Sequence, residues 1–214
     1  MVERLQDTQK GATFVDLDGT LVSANSMHVF MRRIFPTLMR RGAPGAALRS
    51  LWWMGLRTLR LTSHKRMKWH LTKDARKHFK DEDWERTAIR IYGFLNPRVR
   101  NFVESRKQRG CDIYIATAAP QEYVEPLCRM LGYDGGVATE FTDDRADYEE
   151  MRGLEKREGI HRLLEQEGLR LESFLTDHYD DFPTASEYPG LTILVNPDKK
   201  MAAYFRNARV TRYL

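Results

Sequence analysis

The feature that most constrains the fold of this chain is a short apolar strand that runs directly into two carboxylates. Residues 14–21 read FVDLDGTL, so Asp16 and Asp18 stand two positions apart where the strand ends and the chain turns at Gly19. Residues i and i+2 of an extended chain point to the same side, so both carboxylates can converge on one site. In parallel sheets, functional groups gather beyond the carboxyl ends of strands such as this one.

The chemistry of this segment suits a phosphate and a metal ion. Two converging carboxylates offer oxygen ligands for Mg²⁺, a nucleophile and a proton carrier, while Gly19 and Thr20 leave room and hydrogen-bond donors for a phosphate. An Asp-x-Asp pair alone is more often a solvated turn. The four fixed letters of Asp-x-Asp-Gly-Thr, however, arise by chance in roughly one 200-residue chain in a thousand, which favours the functional interpretation.

Residues 23–97 show helical spacing of apolar residues and almost no strand-like alternation. Ser26 can cap a first helix, Pro44-Gly45 precedes a second, and Ser63 and Asp81 can start a third and a fourth. Pro36 is expected to interrupt the first of them, because proline lacks a backbone N–H. The second helix is predicted to be amphipathic and cationic. Its apolar side carries Leu48, Leu51, Trp52 and Leu59, and another side carries Arg49, Arg57 and Arg60.

Beyond residue 97, helices alternate with strands. Further strands are expected near residues 111–116, 137–139, 173–176 and 191–195. The acid-rich stretch 142–150 is expected to form a hairpin or a loop. This rhythm predicts an α/β fold with a mostly parallel sheet that is covered on both faces.

Charge is distributed unevenly along the chain. Residues 25–80 contain fourteen Lys or Arg and a single acid, Asp74, so this segment carries +13 while the net charge of the whole chain is only +5. Such asymmetry indicates contact with a phosphorylated substrate, acidic lipid or nucleic acid, although a solvated helix surface is equally compatible with it. The flanking aromatic side chains Trp52 and Trp53, with Leu56, suit either the headgroup zone of a membrane or the core of the helical block.

Composition narrows the class of protein. Two cysteines, Cys111 and Cys128, are too few for a disulfide framework, which predicts a reducing compartment. The first ten residues are polar and lack the apolar core of a secretory signal, and no stretch reaches the length of a spanning helix. We therefore expect a cytoplasmic protein, with peripheral attachment at the inner face of the membrane as an alternative.

Three later segments carry groups that complement the first. Thr117, at the end of a predicted strand, offers a hydroxyl, and Ala118 begins a run of backbone N–H groups that can surround a phosphate. Lys156 lies at the start of a helix, and Asp177 and Asp181 stand one helical turn apart, where they can complete an oxygen shell around Mg²⁺. Each signal alone is commoner as a helix cap, a solvent-facing lysine or acids that favour a helix dipole.

In this order the motifs resemble those of the haloacid dehalogenase superfamily of phosphohydrolases: Asp-x-Asp-Gly-Thr, a strand-end Thr, Gly-x-x-Lys and Asp-x-x-x-Asp. More narrowly, the chain resembles the phosphoserine-phosphatase-like branch, subfamily IB, in which an all-helical cap follows the first motif. Residues 123–127, 138–140 and 195–198 share this resemblance. It implies a Rossmann-like, doubly wound parallel sheet in residues 1–22 and 98–214, with an inserted helical cap in residues 23–97.

The resemblance also implies a role for each site residue. Asp16 would attack phosphorus and become an aspartyl phosphate, and Asp18 would protonate the leaving oxygen and then activate water. The phosphoryl oxygens would be held by Gly19, Thr20, Thr117, Ala118 and Lys156. Mg²⁺ would be bound by Asp16, the backbone carbonyl of Asp18, Asp177 and, directly or through water, Asp181.

The sequence departs from the phosphoserine phosphatases at one position. Those enzymes carry a Glu nine residues after the nucleophile, where this chain has Asn25, and a neutral amide cannot pair with the amino group of phosphoserine. A small anionic phosphate ester or a phospholipid headgroup phosphate is therefore preferred as substrate. Two alternatives stay open: a nucleic-acid binder that uses the basic cap with Trp52, Trp53 and Trp69 as stacking platforms, which the catalytic acids disfavour, and a phosphotransferase.

Overall fold

The structure, a computed structural model, describes residues 9–206 and 212–214. The strands are β1 (Gly11–Val15), β2 (Asp112–Pro120), β3 (Gly135–Thr139), β4 (Arg170–Thr176), β5 (Thr192–Leu194) and β6 (Arg212–Tyr213). The helices are α1 (Ser26–Arg40), α2 (Pro44–Thr58), α3 (His64–His78), α4 (Asp81–Tyr92), α5 (Pro97–Gln108), α6 (Gln121–Leu131), α7 (Leu154–Gln166), α8 (Phe182–Glu187) and α9 (Lys199–Phe205). A 3₁₀ turn covers Tyr179–Asp181.

The sheet is parallel throughout, with the strand order β3-β2-β1-β4-β5-β6. The chain builds outward from β1 through β2 to β3, and then continues on the other side of β1 from β4 to β6. Strand order thus reverses beside β1, which is where ligands bind in doubly wound sheets. The predicted α/β class and doubly wound core are confirmed. The sequence prediction ended the sheet at residues 191–195 and so missed β6, which is too short to show alternation.

Burial explains why the strands are apolar. Successive side chains of a strand point to opposite faces, and here both faces are covered by helices. Val15 and Ile115 lie in the larger apolar cluster on one face, while Phe14 and Tyr114 stack on the other face with ring centroids 5.2 Å apart. The sheet therefore forms a rigid platform that fixes the positions of the residues at its carboxyl edge.

Four helices, α1 to α4, make up the segment between β1 and α5. Phe30 of α1 packs on Trp84 of α4 and on Tyr123 of α6, with centroid distances of 5.6 and 5.8 Å, so cap and sheet share one apolar cluster. The two crossings into this segment lie side by side, because the Asn96 N–H donates to the Leu21 carbonyl over 2.8 Å. These crossings lie next to residues 23 and 97, and the division into core and cap at those residues stays a prediction.

Two expectations for α1 are wrong. Asn25, and not Ser26, caps the helix, because its side chain accepts the His28 N–H over 3.0 Å. Pro36 lies inside α1 and does not interrupt it. A proline within a helix costs about 3 kcal/mol, but the helix buries an apolar face whose side chains contribute about 1.5–3 kcal/mol each. That face consists of Phe30, Ile34 and Leu38.

A loop, the two cysteines and the lengths of the helices were also predicted from the sequence. Residues 142–150 form a loop and not a hairpin. Cys111 and Cys128 are both buried and reduced, as expected. Within the described residues, the helices are all too short or too polar to cross a lipid bilayer.

Candidate active site

A cavity of about 430 Å³ opens at the carboxyl edge of the sheet, where β1, β2 and β4 end. Of the residues predicted to form the site, all but Thr20 line it: Asp16, Asp18, Gly19, Thr117, Ala118, Lys156, Asp177 and Asp181. These residues come from four segments that lie between positions 16 and 181 of the sequence, and the parallel sheet brings them together because all its strands end at the same edge.

Lys156 forms the floor of the cavity. Its Nζ lies 2.8 Å from Asp16 Oδ1 and 2.7 Å from Asp181 Oδ1, and the lysine is 3% exposed. The Thr176 hydroxyl donates to Asp181 Oδ2 over 2.7 Å, which fixes the second carboxylate. Burial alone lowers the pKa of Lys156, but the contacts with Asp16 and Asp181 outweigh burial and raise it. The ammonium group therefore stays charged and in one position.

Asp16 and Asp177 extend from neighbouring strands. The Asp16 N–H donates to the Leu175 carbonyl over 2.9 Å, so Asp16 continues the β1–β4 pairing and its carboxylate stands at the edge of the sheet. Burial raises the pKa of Asp16, and the nearby carboxylates Asp181 and Asp177 raise it further against the opposing effect of Lys156. Burial likewise raises the pKa of Asp177 to about 6. This concentration of buried negative charge favours a bound cation.

Gly19 allows the first loop to approach Asp177 closely. Its φ is +83°, and a Cβ atom added there would lie 2.1 Å from Asp177 Oδ2, so only glycine fits. The next residue differs from the sequence prediction. Thr20 was predicted to donate to a phosphate, but it is completely buried, and its hydroxyl lies 3.3 Å from Asp177 Oδ1, to which it donates. Thr20 thus supports Asp177 from below the cavity.

The carboxylate of Asp18 is held by the first turn of α1. Ser26 donates its backbone N–H to Asp18 Oδ1 over 2.6 Å and its hydroxyl to Oδ2 over 3.0 Å, and Tyr123 Oη lies 3.2 Å from the same hydroxyl. Burial raises the pKa of Asp18, while the two bonds from Ser26 oppose that rise. Sequence reasoning missed Ser26 and Tyr123 as site residues, because a serine at a helix start is usually a cap.

The Thr117 segment differs in part from its prediction. Strand β2 does not end at Ala116 but continues to Pro120, with an irregular register against β3. The Ala119 N–H donates to Thr117 Oγ1 over 3.1 Å, so this amide is not free to bind a phosphate as predicted. The Thr117 hydroxyl accepts that bond and keeps its own proton for a ligand in the cavity.

The donor set of this cavity fits a hard cation such as Mg²⁺. In the described part of the chain, no three His, Cys, Asp or Glu side chains group into a metal site. Asp181 and Asp18 have both carboxylate oxygens engaged by neighbouring side chains or N–H groups, whereas Asp16 and Asp177 each have only one oxygen engaged. Asp16 and Asp177 remain as carboxylate ligands. Mg²⁺ is usually held by one or two carboxylates and completes its shell with water and substrate oxygens, so two carboxylates beside an open cavity suffice.

A cap lysine that was not among the predicted site residues is joined to the segment that follows Thr117. Lys68 of α3 is 3% exposed, and its Nζ donates to the Ala118 carbonyl over 2.8 Å and forms an ion pair with Glu150. The Thr139 hydroxyl donates to the same carbonyl over 2.8 Å and accepts the Met151 N–H over 3.0 Å. These contacts close a ring that connects the cap to two segments of the site. Lys68 belongs to no sequence motif, so only its burial in the structure identifies it as part of this contact.

Removing this ammonium group is expected to destabilise the protein. In a Lys68→Met variant, the buried carboxylate of Glu150 keeps only its longer contact with His64, at 3.8 Å. We expect the free energy of unfolding to fall by about 3 kcal/mol, measured by urea denaturation. Lys65→Met is the matched control: Lys65 of the same helix pairs with the neighbouring acid Glu149 over 2.8 Å, but the two side chains are 38% and 59% exposed, and a loss below about 1 kcal/mol is expected. Equal losses in both variants would contradict this role of Lys68.

Comparison with known proteins agrees with the geometry. The family model of haloacid dehalogenase-like hydrolases matches residues 13–186. A protein of Mycobacterium tuberculosis, strain H37Rv, named as a probable phosphatase, is 27% identical over 212 residues, covering 88% of this chain and 69% of that protein.

Solved structures show the same fold. A Bordetella pertussis Tohama I protein of unknown function superposes with a TM-score of 0.73 at 19% identity, covering 97% of this chain and 99% of the other. A phospho-aspartyl intermediate analogue of phosphoserine phosphatase superposes with a TM-score of 0.58 at 17% identity, covering 96% and 94%. The chain therefore belongs to the haloacid dehalogenase-like hydrolases.

Proposed function

We propose that this hydrolase is a Mg²⁺-dependent phosphomonoesterase that works through an aspartyl phosphate on Asp16. The observation that carries the proposal is the fixed contact between Lys156 Nζ and Asp16 Oδ1, 2.8 Å apart at the floor of the cavity. It leaves one Asp16 oxygen for attack on phosphorus and sets a positive charge beside the phosphoryl oxygens. The relative named as a probable phosphatase and the structural neighbour with a phospho-aspartyl analogue support this proposal.

The chain's own residues carry two successive displacements at phosphorus. First, the free carboxylate oxygen of Asp16 forms a bond to phosphorus while the bond from phosphorus to the ester oxygen breaks, and Asp18 gives its proton to that leaving oxygen. Second, Asp18 takes a proton from a water molecule, which attacks the acyl phosphate, releases inorganic phosphate and restores the carboxylate. Ser26 keeps the Asp18 carboxyl oriented during both steps.

Positive charge and hydrogen-bond donors stabilise the transferring group. A phosphoryl group in transfer spreads negative charge over its oxygens, which Lys156 and the Thr117 hydroxyl are placed to receive. Mg²⁺ would be held by the Asp16 and Asp177 carboxylates and by the backbone carbonyl of Asp18. When bound, it supplies a further positive charge and orients the phosphate. Asp181, bound to Lys156 and Thr176, would position that lysine.

The mouth of the cavity does not favour phosphoserine as the substrate. Asn25 lines it, with its side-chain oxygen engaged by the His28 N–H, so it offers no counter-charge for an ammonium group. Arg152 also lines the mouth and pairs with Asp180 over 2.6 Å, half exposed. A small anionic phosphate ester or a phospholipid headgroup phosphate would suit this mouth. We also propose that the protein acts in the cytoplasm.

A panel of soluble and lipid phosphomonoesters, assayed for released phosphate with Mg²⁺ and with a chelator, tests the proposal. We expect turnover with Mg²⁺, loss of at least about 100-fold with the chelator, and recovery when Mg²⁺ is added back. Turnover that is equal in chelator would contradict the metal dependence. Phosphorylated alcohol formed in place of inorganic phosphate would favour a phosphotransferase, and salt-sensitive nucleic-acid binding without turnover would favour the binding protein.

A further inference from the structure

The cap carries an apolar stripe on its outer surface. The stripe comprises one side of α2 and the turn after it, where large apolar residues are 45–70% exposed: Leu48, Leu51, Trp52, Leu59 and Leu61. Leu48, Leu51, Trp52 and Leu59 follow the spacing i, i+3, i+4 and i+11, so they share one helical face. Gly55 lies between them, with open space around it.

The polarity of α2 is inverted relative to an ordinary surface helix. The residues that it buries are small, namely Ala46, Ala47 and Ser50, while Leu48, Leu51 and Trp52 face outward. The neighbouring Trp53 shows the contrast, because it stacks on His70 at 3.7 Å and is half-buried within the cap. A contiguous exposed apolar patch of this kind marks a contact surface on a folded protein. The alternative that these aromatic side chains form the cap core is therefore wrong for Trp52, which is 64% exposed, whereas Trp53 packs against the apolar cluster as that alternative expects.

The charge around the stripe is entirely positive in sequence. Residues 19–73 contain eleven Lys or Arg and no Asp or Glu. Asp74, the first acid after this stretch, is engaged by Arg49 over 2.6 Å. Arg57 and Arg60, at the end of the stripe, are exposed and form no ion pair within the described residues. Leucine and tryptophan side chains flanked by arginine, with no acids nearby in sequence, are complementary to a surface that has an apolar interior under an anionic outer layer.

We propose that the stripe docks this protein on an anionic lipid surface, with Trp52 and the leucines in the headgroup zone and Arg57 and Arg60 against lipid phosphates. The charge complementarity and the outward leucines carry this choice of partner. Nucleic acid would pair with the arginines but would leave the leucines in water, and a second copy of the cap would oppose its own cations. This surface is separate from the catalytic residues and does not rest on the proposed reaction.

Vesicle sedimentation tests the proposal with the full chain. The protein is expected to sediment with vesicles of phosphatidylcholine and phosphatidylglycerol, to stay in solution with phosphatidylcholine alone, and to be released by salt. A Leu51→Ser/Trp52→Ser variant should lose about tenfold or more in partitioning. Ile89→Ser/Met130→Ser is the matched control, because both residues are exposed apolar side chains on other helices, and it should bind as the wild type does.

Two further measurements separate lipid docking from its alternatives. Trp52→Phe should keep most of the binding but lose a blue shift of tryptophan emission that the wild type shows on anionic vesicles, which assigns the insertion to this side chain. Equal loss in the stripe and control variants would overturn the proposal. So would absence of vesicle binding combined with self-association, measured by sedimentation velocity, that the stripe substitutions abolish, or tight nucleic-acid binding that they leave unchanged.

Discussion

Asp16→Asn is expected to reduce turnover of phosphate esters by on the order of 10⁴-fold, since an amide cannot attack phosphorus in place of the carboxylate. The substitution keeps the size of the side chain, and the Asn oxygen can still accept from Lys156 Nζ, which lies 2.8 Å from Asp16 Oδ1. The fold should therefore survive. Steady-state release of phosphate measures the loss, and circular dichroism checks that the variant is folded.

The covalent intermediate distinguishes a nucleophile from a metal ligand. Wild-type protein quenched in acid during turnover should carry a phosphoryl group that hydroxylamine removes, detected by mass spectrometry, and Asp16→Asn should carry none. Asp112→Asn is the control, because this acid pairs with Lys10 at the start of β2, at the opposite edge of the sheet. Appreciable turnover or a labelled protein in Asp16→Asn would refute the assignment of the nucleophile.

Lys156→Met is expected to lower kcat/KM by about 100- to 1,000-fold. The variant removes the positive charge that meets the phosphoryl oxygens, and it leaves Asp16 and Asp181, both buried, without their shared partner. Binding of inorganic phosphate should weaken as well, which titration calorimetry measures with Mg²⁺ present. The free energy of unfolding should fall by about 3 kcal/mol, so the assays belong at a temperature where the variant is folded.

An exposed lysine provides the comparison. Lys65 pairs with Glu149 over 2.8 Å on the surface of the cap, and Lys65→Met should leave kcat/KM and stability nearly unchanged. If Lys156→Met retained wild-type kcat/KM, the buried ammonium would be a purely structural element, and the arrangement at the floor of the cavity would need another explanation.

Local patterns in the sequence sufficed for the fold class and for the four segments of the site. The strand that ends at Asp16 and Asp18 and the alternation of helices and strands depend on short-range periodicity, which survives without knowledge of packing. The order of the motifs carried the family resemblance, which the match of the family model over residues 13–186 confirms. The precise ends of elements were less accessible: β2 extends to Pro120 and α1 runs through Pro36, because tertiary burial outweighs local preference.

Contacts between distant segments were decided only by the tertiary structure. From sequence, Thr20 and Ser26 were a phosphate donor and a helix cap, yet their hydroxyls bind Asp177 and Asp18. Lys68 was one basic residue among many, until its burial against Ala118 and Glu150 distinguished it.

The cationic helix α2 also shows which properties the sequence determined and which only the packing decided. Its spacing established that one side is apolar, but only packing could decide which side faces inward, since helix periodicity defines faces and not their partners. The structure turns Leu48 and Trp52 outward and buries Ala47. Residue types along the chain thus determined the chemistry available to this protein, while the approach of segments far apart in sequence, governed by burial and hydrogen-bond geometry, decided which groups act together.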